Sequence, residues 1–142
     1  GQSTGDIDPN PGGNGGIITV THIAGDSVEV KNIEVLVDAT DACNAKARVV
    51  NLPADYSFAQ FDDDVHFRGD TDILNQQPPV VGGEDWDGGV LLEENDNTFS
   101  AGDSFQLQLS AVDCPLNEGE QIEIDIVHTP SNSIILSQEL TV

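Results

Sequence analysis

The chain has 142 residues, 4 Lys+Arg against 26 Asp+Glu, and a formal net charge of −22 at pH 7. That length fits one domain with a real core. The charge repels nucleic acid and anionic membranes, so neither is an expected partner. Lysine occurs twice and methionine not at all, and carboxylates in such excess suit very high salt, where the Debye length falls to about 3 Å at 1 M and screens self-repulsion. The expected source is a halophile.

Residues 1–16, GQSTGDIDPNPGGNGG, hold six glycines, two prolines and one large apolar residue, Ile7. Such a stretch buries little and is expected to be a flexible linker, with another part of the protein on its far side. The folded domain is then residues 17–142.

From Ile17 to Ala39 apolar and polar residues alternate with period two. Strands are expected at Ile17–Ile23, Ser27–Val30 and Asn32–Asp38, with Ile18, Val20 and His22 on one face, then Val28 and Val30, then Ile33, Val35 and Val37. Asp41-Ala42-Cys43-Asn44 reads as a turn. Lys46–Leu52 reads as a strand that Pro53 ends.

Residues 58–103 are different, holding 12 of the 26 acids and one fixed cation, Arg68. Short strands are expected at Asp64–Phe67 and Val90–Glu93 within an elaborated acidic insertion between two regular halves. The second half then repeats the plan of the first. Ala101-Gly102-Asp103-Ser104 copies Ala24-Gly25-Asp26-Ser27 and opens a strand at Ser104–Val112. Glu120–His128 alternates through Ile122, Ile124, Ile126 and His128. Ser133–Val142 alternates too, with one flaw at Gln138. No stretch carries a 3.6-residue period with caps. The expectation is an all-β, immunoglobulin-like sandwich of about seven to nine strands.

Cys43 and Cys114 follow strands of the two halves. Paired, they would close a loop of about 70 residues and stabilise the fold by roughly 4 kcal/mol in the chain-entropy picture. A disulfide is the expected state of a small exported all-β domain, two free thiols being the alternative.

His22 and His128 each end an inward face and are expected to be buried or half-buried and hydrogen-bonded to a loop. No HxH, HExxH or CxxC spacing supports zinc. Calcium has weak candidate ligands in Asp62, Asp64, Asp70 and Asp72 and in Asp85 and Asp87. Neither group has EF-hand spacing, and solvated surface carboxylates are the competing explanation. No cofactor is expected. No GxSxG elbow is present, Ser27 and Ser104 read as turn caps, and an enzyme is not expected. Trp86, flanked by acids in GEDWDGG, is a candidate surface contact residue. No Asn-x-Ser/Thr sequon occurs.

The order ITVTHIAGDSVEVKNIEVLV, FSAGDSFQLQL, LNEGEQIEIDIVHTPSNSIIL resembles the archaeal type IV pilin domain, particularly of haloarchaea. The matching positions are His22, Gly25, Asp26, Gly102, Asp103, Gly119, His128, Pro130 and Ser131. They lie towards the two ends of the chain, and residues 58–98 fall outside the resemblance. Gly1-Gln2-Ser3 resembles the segment just after that family's N-terminal hydrophobic helix, which prepilin peptidase releases and which packs in the filament. The resemblance implies a soluble extracellular head on a cell-surface appendage. Its partners would be copies of itself, joined through a helix absent from this sequence, and surfaces or other cells. Direct membrane binding by this stretch is not implied. The alternative open at this point is a secreted or surface-anchored binding module, cellular or viral, with Trp86 and the acidic insertion carrying recognition.

Overall fold

The computed structural model describes residues 2–8, 16–52, 63–74, 98–110 and 112–142. They form an all-β, sandwich-like fold of antiparallel sheets. In chain order the strands are β1 (Gln2–Asp8), β2 (Ile17–Ala24), β3 (Val28–Glu29), β4 (Ile33–Ala39), β5 (Ala45–Val49), β6 (Phe67–Gly69), β7 (Thr98–Phe99), β8 (Ser104–Gln108), β9 (Gln121–His128) and β10 (Ser133–Thr141). One sheet has the order β1-β2-β8, a second β10-β9-β4-β5-β6, and β3 pairs with β7 in a short third ladder.

The alternation read from sequence sets which face is buried. Ile18 and Val20 on β2, with Phe105 and Leu107 on β8, turn inward from the first sheet. Val35 and Val37 on β4, Val49 on β5, Phe67 on β6, and Ile122, Ile124 and Ile126 on β9 turn inward from the second. These residues share one core cluster, so the chain's two regular halves bury a common interior. β-Branched side chains fit this pleated, one-side-buried geometry.

Residues 2–8 depart from the linker expected of them. Gln2–Asp8 is a strand, paired antiparallel with β2 from Gln2↔Ala24 to Asp8↔Ile17. Its composition hides this, because β1 needs little apolar surface of its own. It borrows its ladder from β2 and lays Gly5 against β10. A Cβ on Gly5 would sit 2.7 Å from Leu140 Cδ2, so the missing side chain is what permits the approach. Ile7 packs partly buried on the core. With β1 included, the described residues carry ten strands.

Two smaller differences follow from local chemistry. Residues 63–66 are one helical turn, α2 (Asp63–His66), and the strand expected at Asp64–Phe67 is instead β6, starting at Phe67. The turn at residues 41–44 is helical too: α1 (Thr40–Cys43) closes with Asn44 at φ 54°. Asp38 Oδ1 accepts from Thr40 N at 3.0 Å and from Thr40 Oγ1 at 2.6 Å. These hydrogen bonds, with Lys46 a smaller contributor, hold the Asp38 carboxyl below its ordinary value. The strand expected to run from Ser104 to Val112 ends at Gln108.

The disulfide is present. Cys43 at the end of α1 bonds to Cys114, with Cα atoms 5.2 Å apart and a sequence separation of 71. Cys114 is fully buried in the core cluster. No helix among the described residues is long and apolar enough to cross a membrane.

Candidate functional site

The two Ala-Gly-Asp-Ser turns meet at one end of the sandwich. Gly25 and Gly102 both take positive φ, 126° and 97°, values an L side chain resists. His22 N donates to Asp103 O at 2.9 Å and Gly102 N donates to His22 O at 2.7 Å, which carries the β2–β8 pairing past its last ladder residues. Ser27 Oγ donates to Ser100 Oγ at 2.7 Å. Asp103 closes its own turn by accepting from Ser100 N at 2.9 Å. The internal repeat is thus a pair of neighbouring turns that tie β2 to β8.

His22 stands at the centre of this end and is 3% exposed. Its Nε2 lies 3.2 Å from the carbonyl oxygen of Asp26. A carbonyl can accept and cannot donate, so Nε2 carries a proton in this contact. The ring meets Phe99 edge-on, centroids 5.1 Å apart at 76°, and Phe99 lies 5.8 Å from Phe105. Nδ1 is buried and makes no hydrogen bond among the described residues.

His128 arrives from the other sheet. It pairs with Ile33 on β4 and Ser133 on β10. Its Nδ1 shares a hydrogen bond with Ser131 Oγ at 2.8 Å. His22, Asp26, Val28, His128, Ile135 and Leu136 line a cleft of about 240 Å³. Both histidines end inward faces, as the alternation indicates. That they share one cleft was not legible, because sequence does not fix which strand ends oppose each other across two sheets.

The chemistry available here is narrow. About 240 Å³ is below the usual range for a drug-sized ligand and suits a few waters or one small polar group. Sequence reasoning did not single out the contact between His128 and Ser131, which brings a hydroxyl to an imidazole. A nucleophile of this type needs a third group to orient the base, and the described hydrogen bonds of His128 supply none. Ser131 Oγ also lies 2.7 Å from Ser133 Oγ, as expected of a hydroxyl closing a turn. The spacing His-x-x-Ser across a Thr-Pro turn was the available signal.

Of the calcium candidates, Asp70 is committed elsewhere. Its Oδ2 accepts from Lys46 N at 3.0 Å and its own N donates to Lys46 O at 2.8 Å, fastening the end of β6 to β5. Asp72 is exposed on a 3₁₀ turn at Thr71–Ile73. Asp64 falls in α2. Asp62, Asp85, Asp87, Trp86 and the strand expected at Val90–Glu93 lie outside the described residues. Among the described residues no group of three or more His, Cys, Asp or Glu side chains is placed to hold a metal ion.

Gly119, another position in the resemblance, lies elsewhere: its N donates to Val142 O at 2.8 Å, next to the Val142 N–Glu120 O bond that closes β9 against β10. Comparison with protein-family profiles, with curated proteins and with solved structures finds no match to this chain.

Proposed function

We propose that this chain is the extracellular structural head of a type IV pilin-like surface filament subunit from a halophilic archaeon, acting in filament assembly or adhesion. The observation that carries the reading is a convergence. His22, Asp26, Gly102, Asp103, His128 and Ser131, drawn from the two ends of the sequence, all gather at one end of the sandwich. His22, Asp26, Gly102 and Asp103 are joined to one another by hydrogen bonds to backbone atoms, His128 and Ser131 by a turn hydrogen bond, and the two groups face one cleft.

Two further features agree. A buried disulfide between the halves suits an oxidising compartment outside the cytosol. The charge of −22 suits a surface bathed in concentrated salt. The role is mechanical: an upstream helix forms the filament core while the sandwich coats it, and the acidic insertion is displayed to salt, surfaces or other cells. No catalytic step is assigned.

The coding sequence upstream of Gly1 tests this reading. The proposal expects a prepilin-type leader and an apolar stretch of about 18 residues or more. An upstream region without such a stretch rejects it.

One observation favours a second reading, a ligand-binding module. The buried His22 Nδ1, unpartnered among the described residues and beside the cleft, is a polar atom that a small polar ligand would satisfy. Loss of surface attachment on His128→Ala, with filaments intact, would support it; unchanged attachment would remove it.

A further inference from the structure

The glycine- and proline-rich residues 9–15 join β1 to β2 in sequence. They belong to the domain and are not the joint between it and a segment preceding Gly1. That joint is the N-terminal end of β1, which has a neighbour on each side. On one side β1 pairs with β2 as far as Gln2↔Ala24. On the other, Ser3 meets Gln138 and Gly5 meets Leu140, so β1 and β10 run side by side in the same direction.

Followed backward past Gln2, the line of β1 leads to the histidine cleft by way of both neighbours. Along β10 it passes Leu136 and Ile135, and both line the cleft. Along β2 it passes Ala24 towards Asp26, which lines the cleft too. Each neighbouring strand also carries a bulge at this level. The β1–β2 register steps from Ser3↔His22 to Gln2↔Ala24 and leaves Ile23 unpaired. The β9–β10 register steps from Ile134↔Val127 to Leu136↔Ile126 and leaves Ile135 unpaired. Bulges end a pairing or re-aim a side chain. Ile23 and Ile134, at the two strand ends that border the cleft, are 51% and 59% exposed. Inside, His22 Nδ1 is buried without a hydrogen-bond partner among the described residues. A buried polar atom costs free energy until something satisfies it.

We propose that the segment immediately upstream of Gly1 continues the line of β1 and seats in this cleft. It sets an apolar side chain against Val28 and Ile135 and brings a polar backbone group towards His22 Nδ1. A cleft of about 240 Å³ has room for a side chain and not for a helix, so the seated part is extended chain. Burying that side chain draws on attraction that salt strengthens and does not screen. The consequence is a rigid joint: the head is clamped at a fixed angle to whatever carries it, instead of swinging on a glycine hinge. This inference rests on the reading that a filament-forming segment precedes Gly1, and adds where that segment meets the head.

The test is hydrogen exchange read by mass spectrometry, comparing the full-length subunit in detergent with the domain that begins at Gly1. Amides of residues 24–28 and 133–136 are expected to exchange about tenfold or more slowly in the full-length subunit, while those of β5 exchange alike in both. Ile135→Asp in the full-length subunit is expected to return the two stretches to the rates of the domain. Near-UV circular dichroism checks that this variant folds, and the comparison of the two wild-type forms decides the matter if it does not. Equal rates in the two forms, with an apolar upstream segment present, would overturn the proposal and leave the filament reading standing. A gene with no such segment would overturn both. Slowing spread evenly over every strand, or protection that appears in the domain alone as its concentration rises, would also overturn it, the latter by assigning the cleft to a second copy.

Discussion

Gln138 on β10 donates from one amide nitrogen to two atoms of Ser3 on β1, the carbonyl oxygen and Oγ, each at 2.8 Å and across 135 residues of sequence. Gln138 is the single polar residue on the inward face of its strand, between Leu136 and Leu140. Its place in the alternation is therefore a docking point for β1. Gln138→Leu would perfect the apolar pattern of β10 and yet is expected to destabilise the domain by about 1–3 kcal/mol, because a partly buried carbonyl of Ser3 loses its donor. Gly5→Val should cost a similar amount through overpacking against Leu140, about 1–3 kcal/mol. Urea denaturation of both variants measures this. If Gln138→Leu were as stable as wild type, β1 would not be held as described.

That contact also shows where sequence reading stops. The inward faces of β2, β4, β8 and β9 were legible because large apolar residues recur at every second position, Ile and Val in β2, β4 and β9, Phe105 and Leu107 in β8. β1 was not, because its stability lies in its partners: a ladder supplied by β2, a glycine fitted against Leu140, and an amide sent across from Gln138. Composition reports what a segment can bury by itself. The histidine cleft was half-legible in the same sense. His22 and His128 could be assigned to inward faces, but their meeting depends on how two sheets are superposed.

The disulfide joins the helical turn after β4 to a fully buried cysteine past β8. Cys43→Ser/Cys114→Ser is expected to lower stability by about 4 kcal/mol, mainly by releasing the unfolded chain from a 71-residue separation. The comparison is of unfolding midpoints with and without reductant. A double variant as stable as the oxidised wild type would contradict the placement of Cys114 in the core.

His22 holds the Asp26 turn and packs against Phe99. His22→Ala removes a buried ring and leaves the Asp26 carbonyl without its side-chain donor, and is expected to cost about 2–4 kcal/mol. His128→Ala should cost under about 1 kcal/mol, since that ring is half exposed and its partner Ser131 keeps contact with Ser133. Thermal melts of the pair separate the two roles. Equal effects would mean that the cleft is symmetric in energy, against its observed burial.

Salt should act strongly on a surface of this charge. The melting temperature is expected to rise between 0.1 M and 2 M KCl by more than it does for a sandwich of similar size and near-zero net charge. The control matters because salt also strengthens apolar burial in any protein. Equal rises in the two proteins would argue against a halophilic origin.

The functional account turns on whether the folded domain sits on a filament. Antibodies raised against the purified domain, used in immunogold electron microscopy of the source cells, test this most directly. The account predicts gold along thin surface filaments that vanish when the gene is deleted. Gold confined to the cell envelope, with filaments unlabelled and unchanged by the deletion, would contradict it.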